Sequence, residues 1–335
     1  MLKNPPKIVA AGDLLADVLA PVDDAFLSSH GFIKGSRQEA KRPILNGLMS
    51  KLQGRYTIAP GGSAGNTIIG LAQLGLETAF TSKCGRDQLG RLLRTGMEQY
   101  DVNACIAMDD RPTGICLSLV TPDGERTMLV DLAASNALTA DDVVPDFFHN
   151  AGIAHFEAYM VSRPELLLNL LDRAYDAGCV ISLDLGSHNI IREHFAFLQR
   201  VITDYVDILI GNYREGAAYT DCGRDEDILR GMRQNTSVAA LKKGAQGSVI
   251  SVGENLIAVV PVNDAARPVI DTTGAGDLWN SGFLYGLAKG LDPETCGKLA
   301  SVCGYEVSCG MGAQIQPQGW QNVRAYMTKT GLTAG

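Results

Sequence analysis

The stretch Asp271–Asp277, with the sequence DTTGAGD, precedes a long apolar run and predicts a glycine-rich turn that opens a helix. The small residues Gly274, Ala275 and Gly276 would let backbone N–H groups converge on one point, where the helix dipole favours an anion. A carboxylate at Asp277 would repel a bound phosphate, so it needs a separate task. The task that fits is general base, taking the proton of a hydroxyl nucleophile beside a phosphoryl group. The alternative, a capping acid worth about 1 kcal/mol, accounts less well for three small residues between two aspartates.

Two commoner phosphate-binding loops are absent from the sequence. The Gly-Lys pair at Gly297-Lys298 is followed by Leu299 and lacks the hydroxyl that binds magnesium in a P-loop. The nearest approaches to G-x-G-x-x-G, at 274–276 and 310–312, lack the third glycine. The sequence therefore argues against a dinucleotide-binding dehydrogenase.

The composition excludes several classes of protein. With 335 residues, 46% of them apolar, the chain can bury a large core. A mean hydropathy of +0.04 and the lack of an apolar run of spanning length predict no membrane segment. No signal peptide is expected, because Met1 to Lys7 contains two prolines and leads straight into an apolar strand. A net charge of −8 argues against a nucleic-acid surface, so an anionic ligand should be small and bound in a local pocket.

The cysteines and histidines are dispersed along the chain. Eight cysteines without a C-x-x-C pair are typical of reduced thiols, which predicts a cytoplasmic protein. Among the five histidines, His188 and His194 lie near each other but lack the cysteine or carboxylate spacing of a metal site.

Short apolar runs alternate with stretches of helical periodicity. The predicted strands are Lys7 to Ala10, Thr78 to Thr81, Ile153 to Phe156, Val180 to Asp184, Asp207 to Ile210, Val238 to Lys242 and Ser248 to Val252. The predicted helices are Asn66 to Leu74, Leu89 to Tyr100, Glu165 to Ala177, Ile190 to Val201, Asp225 to Arg233 and Ala275 to Lys289. This alternation predicts an α/β fold with a mostly parallel sheet covered on both faces and ligands at the carboxyl ends of the strands.

Two segments depart from the alternation. Thr113 to Val120 and Arg126 to Val130 flank the turn sequence PDGE and predict a β-hairpin. Leu14 to Ile58 has helical and extended patches without a clear place in the sheet. No repeat or low-complexity linker divides the chain, so we expect residues 1–335 to form a single domain.

The DTTGAGD stretch resembles, at every position, the D-T-x-G-A-G-D element of the ribokinase-like carbohydrate and nucleoside kinases, the PfkB family. The resemblance extends from Lys7 to Gln318 through five ordered elements. It implies a ribokinase-like three-layer α/β/α fold with a small β lid, contributed by about residues 14–58 and 113–131. A lid suits a kinase, because water is itself a hydroxyl nucleophile that would hydrolyse the phosphoryl donor.

The resemblance assigns the catalytic centre to the glycine-rich turn. Asp277 would be the base, and the N–H groups of Ala275, Gly276 and Asp277 would hold the γ-phosphate of ATP, next to Gly274. Arg126, on the predicted hairpin, would add positive charge over the transferring group when the lid is closed. A solvated surface arginine is the alternative for that position.

The second family signature is Pro60 to Asn66, with the sequence PGGSAGN. Gly61 and Gly62 permit unusual backbone angles at the entrance to a helix, and Asn66 offers both a donor and an acceptor in its first turn. In the family the paired glycines act as a hinge between lid and sheet, and the asparagine binds substrate hydroxyls. A glycine-rich loop with a capping asparagine is the alternative interpretation.

A carboxylate follows the first predicted strand in the segment GDLLAD. Carboxylates are natural acceptors for two adjacent sugar hydroxyls, and the family places one at the position that Asp17 matches. Asp13 is the competing candidate and could simply cap a turn. We favour Asp17.

The nucleotide half of the site is implied by three further matches. Asn212 and Glu215 match the family's N-x-x-E element, which orders magnesium and phosphate, often through water, although the tetrapeptide also suits a plain helix start. The segment KGAQG, with Lys243, Gly244 and Gly247, resembles the loop beside the nucleotide. Thr272 is also assigned to the nucleotide. The adenine wall would come from Ser301 to Cys309, with Val302 and Cys303 at positions where other members carry asparagine or alanine.

The sequence carries fewer signals for the substrate than for the family. The segments HGFIKG, ERTM and LAASN favour the adenosine-kinase-like subgroup, with Leu15, Phe32 and Ile33 facing a purine. We therefore expect phosphorylation of the primary hydroxyl of a nucleoside such as adenosine, with ATP and Mg²⁺. A kinase for fructose, ribose or 2-keto-3-deoxygluconate is the alternative, as is a non-catalytic nucleoside- or sugar-binding protein. A K⁺ requirement near Asp271 and a homodimer are further options that the sequence leaves open.

Overall fold

The computed structural model describes residues 6–332, which form two β-sheets and the helices that cover them. The strands, in chain order, are β1 Lys7–Ala11, β2 Leu15–Pro21, β3 Arg37–Glu39, β4 Thr57–Gly61, β5 Thr78–Gly85, β6 Asn103–Asp109, β7 Gly114–Val120, β8 Arg126–Asp131, β9 Ala151–Glu157, β10 Val180–Asp184, β11 Ile208–Asn212, β12 Val238–Lys242, β13 Ser248–Val252 and β14 Asn255–Val259. The helices are α1 Asp24–Ser29, α2 Arg42–Lys51, α3 Ser63–Gln73, α4 Gln88–Gln99, α5 Pro164–Asp176, α6 His188–Glu193, α7 Phe195–Tyr205, α8 Tyr213–Thr220, α9 Asp225–Met232, α10 Ala275–Ala288, α11 Pro293–Ser308 and α12 Pro317–Lys329.

The larger sheet has nine strands in the order β14-β13-β12-β11-β10-β9-β1-β5-β6. All neighbouring pairs from β12 to β6 are parallel, whereas the pairs β12–β13 and β13–β14 at one edge are antiparallel, so that β13 alone runs against the others. Side chains alternate between two cores, as in β1, where Ile8 and Ala10 face one side while Val9 and Ala11 face the other. Buried residues of α3, α4, α10, α11 and α12 belong to the first core, and those of α5 to α9 belong to the second. The predicted three-layer α/β/α architecture with a mostly parallel sheet is confirmed.

The smaller sheet has five strands in the order β3-β8-β7-β2-β4. The predicted hairpin is confirmed, because β7 and β8 pair antiparallel from Ile115↔Asp131 to Val120↔Arg126. The segment Leu14 to Ile58, which the sequence left without a place, supplies the other three strands with α1 and α2 between them. That this sheet moves as a lid, within one domain of residues 1–335, stays a prediction.

The sequence predicted the central strands better than the edges. All seven predicted strands exist within a few residues, but β6 and β14 were not predicted. Both are edge strands with few fully buried positions, so they lack the continuous apolar run of a central strand. The predicted helix Ile190 to Val201 is wrong as one element, because the chain breaks at His194 between α6 and α7.

None of the eight cysteines forms a disulfide. Between residues 6 and 332, no helix is long and apolar enough to cross a bilayer.

Candidate functional site

A cavity of about 890 Å³ lies between the smaller sheet and the carboxyl ends of strands β1, β9, β10, β11 and β12. Chain segments 12–17, 62–66, 184–189, 212–215, 242–247 and 271–279 all contribute lining residues. Pockets form at this edge of a parallel sheet because the strand ends, loops and helix N-termini converge there. The sequence-predicted residues Asp13, Asp17, Gly62, Asn66, Arg126, Asn212, Glu215, Gly244, Gly247, Thr272, Gly274, Ala275, Gly276 and Asp277 all line this one cavity.

The glycine-rich turn ends in a helix N-terminus whose donors are open. Gly274 adopts a left-handed φ of 74°, and a Cβ there would lie 2.7 Å from the backbone of Ala313, so only glycine fits. Among the described residues, no acceptor is found for the N–H groups of Gly276 and Asp277. The Ala275 N–H, which the sequence predicted as a third donor, donates to Thr272 O at 3.2 Å in this structure. Two backbone N–H groups and the helix dipole therefore remain for an anion.

Asp271 holds this turn in place. Its carboxylate accepts from the N–H and hydroxyl of Thr273, at 2.9 and 2.7 Å, and from the N–H of Gly312 at 2.9 Å. These bonds tie the turn to the segment that precedes α12. The K⁺ requirement near Asp271 stays a prediction.

Asp277 lies in the first turn of α10 and is held by α3. Oδ1 accepts from the Ser63 hydroxyl and Oδ2 accepts from Asn66 Nδ2, both at 2.9 Å. Burial raises the pKa of Asp277 above its usual value, although the hydrogen bonds from Asn66 and Ser63 oppose the rise. A carboxylate with a raised pKa and two fixed donors is suited to accept a proton from a hydroxyl nucleophile.

Asn66 has a different set of partners from those that the sequence predicted. Its Nδ2 donates to Asp277 and its Oδ1 accepts from Gln314 Nε2 at 2.9 Å. Since the side chain is almost fully buried, it has one N–H left for a substrate hydroxyl. Asn66 therefore helps to orient the Asp277 carboxylate, a contact that spacing alone did not reveal.

Asp17 and Asp13 have contrasting environments. Asp17 lies on the inner face of the smaller sheet with no cationic hydrogen-bond partner, and burial raises its pKa to about 7 against the opposing charge of Arg126. Asp13 Oδ1 already accepts from Arg163 Nη2 and from the Ser135 hydroxyl, both at 2.7 Å. Gly61 contributes by packing against the Asp17 carboxyl group, where a Cβ would overlap it, and does not itself line the cavity.

Glu157 is a site residue that the sequence analysis missed. Its Oε1 accepts from the Asp13 N–H at 3.0 Å and its Oε2 from the Ala64 N–H at 2.9 Å. This buried carboxyl group therefore joins the end of β1 to the first turn of α3. Burial, with the neighbouring charge of Asp13, raises the pKa of Glu157. The available signal was an acid directly after the apolar run of β9.

The N-x-x-E element forms a capping box. Asn212 Oδ1 accepts from the Glu215 N–H at 3.0 Å, while the Asn212 N–H and Nδ2 donate to the Glu215 carboxylate at 2.7 and 2.6 Å. Burial raises the pKa of Glu215, with the charge of Asp184 adding to the effect. The N-x-x-E element thus begins helix α8 and also places the Glu215 carboxyl group at the cavity.

Lys243 does not reach the nucleotide region. Its ammonium pairs with Asp225 on α9, outside the cavity. The preceding residue, Lys242, lines the cavity instead, because successive side chains at a strand end point to opposite faces. The structure therefore places Lys242, and not the predicted Lys243, at the cavity.

The predicted adenine wall also needs correction. Val302 and Cys303 are buried in the first core and do not line the cavity. Ser301, Gly304, Tyr305 and Ser308 line it, because one face of α11 carries every third or fourth residue.

The inner face of the smaller sheet is part apolar and part cationic. Leu15, Met128 and Val130 line the cavity, together with Arg37 and Arg126. Neither arginine has a salt-bridge partner among the described carboxylates, and the Arg37 guanidinium lies 4.8 Å from the centre of the Tyr159 ring.

The structure places Phe32 and Ile33, the predicted purine contacts, outside the cavity. Phe32 packs beside His30 and against the core, and the Ile33 side chain is 70% exposed outside the cavity. Both residues lie between α1 and β3, and the chain reaches the cavity only a few residues later, at Gly35 and Arg37. The sequence did not show which residues of this segment face the cavity.

Comparison with known proteins identifies the family. The model of the pfkB family carbohydrate kinases matches residues 39–318. The chain belongs to the PfkB family. It is 28% identical over 234 residues to an uncharacterized sugar kinase of Archaeoglobus fulgidus, covering 70% of this chain and 92% of that protein. Members of this family are phosphotransferases that act on hydroxyl groups, and this PfkB-family chain is a nucleoside or sugar kinase.

Solved structures of PfkB-family relatives share the whole architecture. A probable sugar kinase from Rhizobium etli superimposes with a TM-score of 0.91 at 27% identity, covering 98% of this chain and 99% of that one. The adenosine kinase from Sinorhizobium meliloti superimposes with a TM-score of 0.90, also at 27% identity, covering 96% and 99%. Membership of the family implies the use of ATP, usually with Mg²⁺.

The environment of Asp17 predicts a pH dependence for this PfkB kinase. Ionised Asp17 is a stronger acceptor for two hydroxyl groups than the protonated acid, and its raised pKa of about 7 means that the ionised fraction falls as pH drops below 7. We expect kcat/KM for the acceptor to fall by up to about tenfold per pH unit below pH 7. Initial rates between pH 5.5 and 8.5 measure this profile, and Asp17→Asn is the matched control that removes the titrating group. An acid limb that stays near pH 7 in Asp17→Asn would assign the titration to another carboxyl group.

Proposed function

We propose that this chain transfers the γ-phosphoryl group of ATP to the primary hydroxyl of a nucleoside, with adenosine as the first candidate. The observation that carries the proposal is the position of Asp277. Its carboxylate faces the same cavity as Asp17 on the smaller sheet and as the open N–H groups of Gly276 and Asp277. This arrangement supports a site in which Asp277 accepts the proton, Asp17 accepts from sugar hydroxyls and the N–H groups hold the phosphoryl group.

The roles of the residues follow from this arrangement. Asp17 and the free N–H of Asn66 hold the substrate so that its hydroxyl points at Asp277, which takes the proton as the new bond to phosphorus forms. The open N–H groups of Gly276 and Asp277 donate to the oxygens of the transferring group. Because phosphoryl transfer is loose in most analyses, positioning and charge stabilisation supply most of the acceleration.

Asn212 and Glu215 fit a water-mediated magnesium site. Glu215 uses its oxygens to accept from Asn212, yet the carboxyl group still lines the cavity and retains lone pairs for water. Magnesium prefers oxygen ligands and keeps several of its waters, and it would neutralise charge on the phosphates of ATP. Between residues 6 and 332, no group of three or more His, Cys, Asp or Glu side chains is arranged to hold a metal alone.

Two observations support a nucleoside as the acceptor. The adenosine kinase from Sinorhizobium meliloti shares the fold over nearly the whole chain at 27% identity. In addition, Leu15, Met128 and Val130 present apolar surface beside Asp17, where a base attached to the ribose would lie. The guanidinium plane of Arg37 is a further surface on which a base can stack.

A sugar kinase is the second candidate, and a different observation favours it. Arg37 and Arg126 face the cavity without a salt-bridge partner among the described residues. Two unpaired guanidinium groups suit an acceptor with a carboxylate, such as 2-keto-3-deoxygluconate. The probable sugar kinase from Rhizobium etli is as similar to this chain as the adenosine kinase is.

A substrate panel tests the proposal. We expect kcat/KM for adenosine to exceed that for ribose by at least about tenfold, because burial of the base contributes about 25 cal/mol per Å² of apolar surface. Measuring ADP production with adenosine, ribose, fructose and 2-keto-3-deoxygluconate gives the comparison. Met128→Ala should weaken adenosine more than ribose, whereas Ile33→Ala, on the exposed side of the same region, should weaken neither.

Two results of the substrate panel would contradict the proposal, and each contradicts a different part of it. A sugar that wins the comparison by tenfold or more would overturn the nucleoside assignment and leave the kinase intact. ATP binding without ADP production for any acceptor would instead support the non-catalytic alternative.

A further inference from the structure

Lys242 is a buried lysine that lines the cavity. Its side chain, only 12% exposed, extends from the end of β12. The ammonium donates to Asp184 Oδ2 at 2.7 Å and to Asn280 Oδ1 at 3.1 Å. Asn280 in turn donates to the same Asp184 oxygen at 2.8 Å. The three side chains join the ends of two strands to α10, one turn after Asp277.

The ammonium lies directly against the phosphate-binding turn. A Cβ built at Gly276 would be 3.3 Å from Lys242 Nζ. The N–H of Gly276 is one of the two donors that remain open at this helix N-terminus. An ammonium has three N–H donors, and the structure uses two of them. The third is available on the side of the cavity, which Lys242 lines.

The charge balance of the site requires a cation at this place. Asp184, Glu215 and Asp277 all interact electrostatically with Lys242. Burial disfavours the charged ammonium, but these carboxylates outweigh that penalty and raise the pKa of Lys242, which keeps it protonated. Without Lys242, a triphosphate entering beside Gly276 would meet these three carboxyl groups with the helix dipole as the adjacent positive potential, while Arg37 and Arg126 lie across the cavity on the smaller sheet.

We propose that Lys242 is a further catalytic residue, whose third N–H donates to the transferring phosphoryl group beside Gly276. The inference rests on the proposed phosphoryl transfer. In that step the substrate oxygen forms a bond to phosphorus, the bond between phosphorus and the leaving ADP oxygen breaks, and the hydroxyl proton passes to Asp277. Lys242 keeps its proton throughout and stabilises the charge on the equatorial oxygens.

A purely structural role is the competing explanation. The pair with Asp184 could serve only to join β12, β10 and α10, and its loss would then act through stability. Breaking a buried ion pair leaves an uncompensated charge, so Lys242→Met alone cannot separate the two roles. Asp184→Asn combined with Lys242→Met removes both charges and relieves that penalty.

The experiment compares four variants with the wild type: Lys242→Met, Lys242→Arg, the double variant Asp184→Asn/Lys242→Met, and Lys83→Met. Lys83 is the matched control, because it is also 12% exposed and pairs with Asp142 at 2.8 Å, but lies outside the cavity. For each protein, Tm, kcat and the KM values for ATP·Mg and acceptor are measured with the best acceptor of the panel. If no acceptor is used, the rate of ATP hydrolysis replaces kcat, so the test does not depend on the substrate assignment.

We expect Lys242→Met to lower kcat by about 10²- to 10³-fold, as for the loss of one donor to a developing anion. The double variant should recover Tm but not kcat, Lys242→Arg should recover part of kcat, and Lys83→Met should change Tm without a comparable loss of kcat. Recovery of kcat in the double variant, or a kcat within threefold of wild type in Lys242→Met, would overturn the catalytic role. Wild-type protein that binds ATP·Mg without turnover of any kind would overturn it together with the proposed function, whereas a change of preferred acceptor would leave it intact.

Discussion

Replacing Asp277 by asparagine is expected to lower kcat by at least about 10²-fold, because a positioned base contributes about 10²- to 10⁴-fold. The asparagine keeps the shape of the side chain but cannot take the proton of the nucleophile. The amides of Asn66 and Gln314 can both rotate, so that the new Nδ2 donates to Asn66 and the chain of hydrogen bonds persists. We therefore expect the variant to fold and to bind ATP·Mg with near wild-type affinity.

The measurement combines steady-state rates with nucleotide binding. Trp279 lines the cavity, so its fluorescence is a direct probe of ATP·Mg binding in wild type and variant. Glu157→Gln is a useful comparison, since that buried carboxyl group also borders the cavity but accepts only from the backbone N–H groups of Asp13 and Ala64 in the described structure. Retention of more than a tenth of wild-type kcat in Asp277→Asn would remove this residue from the base role.

Replacing Asp17 by alanine is expected to raise the acceptor KM by about 10²-fold or more while the ATP KM stays within about twofold. Each hydrogen bond to a charged group contributes about 1.5–3 kcal/mol, and Asp17 would accept two from the substrate. Its carboxylate faces the cavity with no cationic hydrogen-bond partner. The structure thus gives it free acceptor capacity where the substrate would lie.

The comparison with Asp13→Ala separates binding from folding. Asp13 is buried and paired with Arg163 at 2.7 Å, so its loss leaves an unpaired charge and should lower Tm. Asp17→Ala should raise the acceptor KM without that loss of stability. A silent Asp17→Ala beside an Asp13→Ala variant with a raised acceptor KM and unchanged Tm would transfer the substrate role to Asp13.

Local sequence was sufficient where one short segment builds the feature. The turn at Gly274 requires a left-handed backbone conformation and a close approach to Ala313. Only glycine meets both requirements, so the residue type in the sequence already indicates them. The same holds for the central parallel strands, whose continuous apolar runs reflect burial on both faces. Family, fold and the identity of Asp277 as the site's central acid therefore followed from the sequence alone.

Side-chain direction was decided by tertiary structure. Lys242 and Lys243 are neighbours of the same type, and only the last residue of β12 determines which of them enters the cavity. On α11, the sequence pointed to Val302 and Cys303, whereas Ser301 and Tyr305 are the residues that line the cavity. A shift of one residue on a strand or helix changes the face, and local sequence does not carry that information.

The sequence by itself predicted a glycine-rich helix start with Asp277 in its first turn, because backbone N–H groups at such a turn need no distant partner. Only the tertiary structure decided which side chains lie around that turn and contact its neighbours. Glu157 reaches Asp13 across 144 positions of the chain, and Asn66 reaches Asp277 across 211. Such contacts exist because parallel strands deliver their carboxyl ends to one edge of the sheet, whatever their separation in sequence.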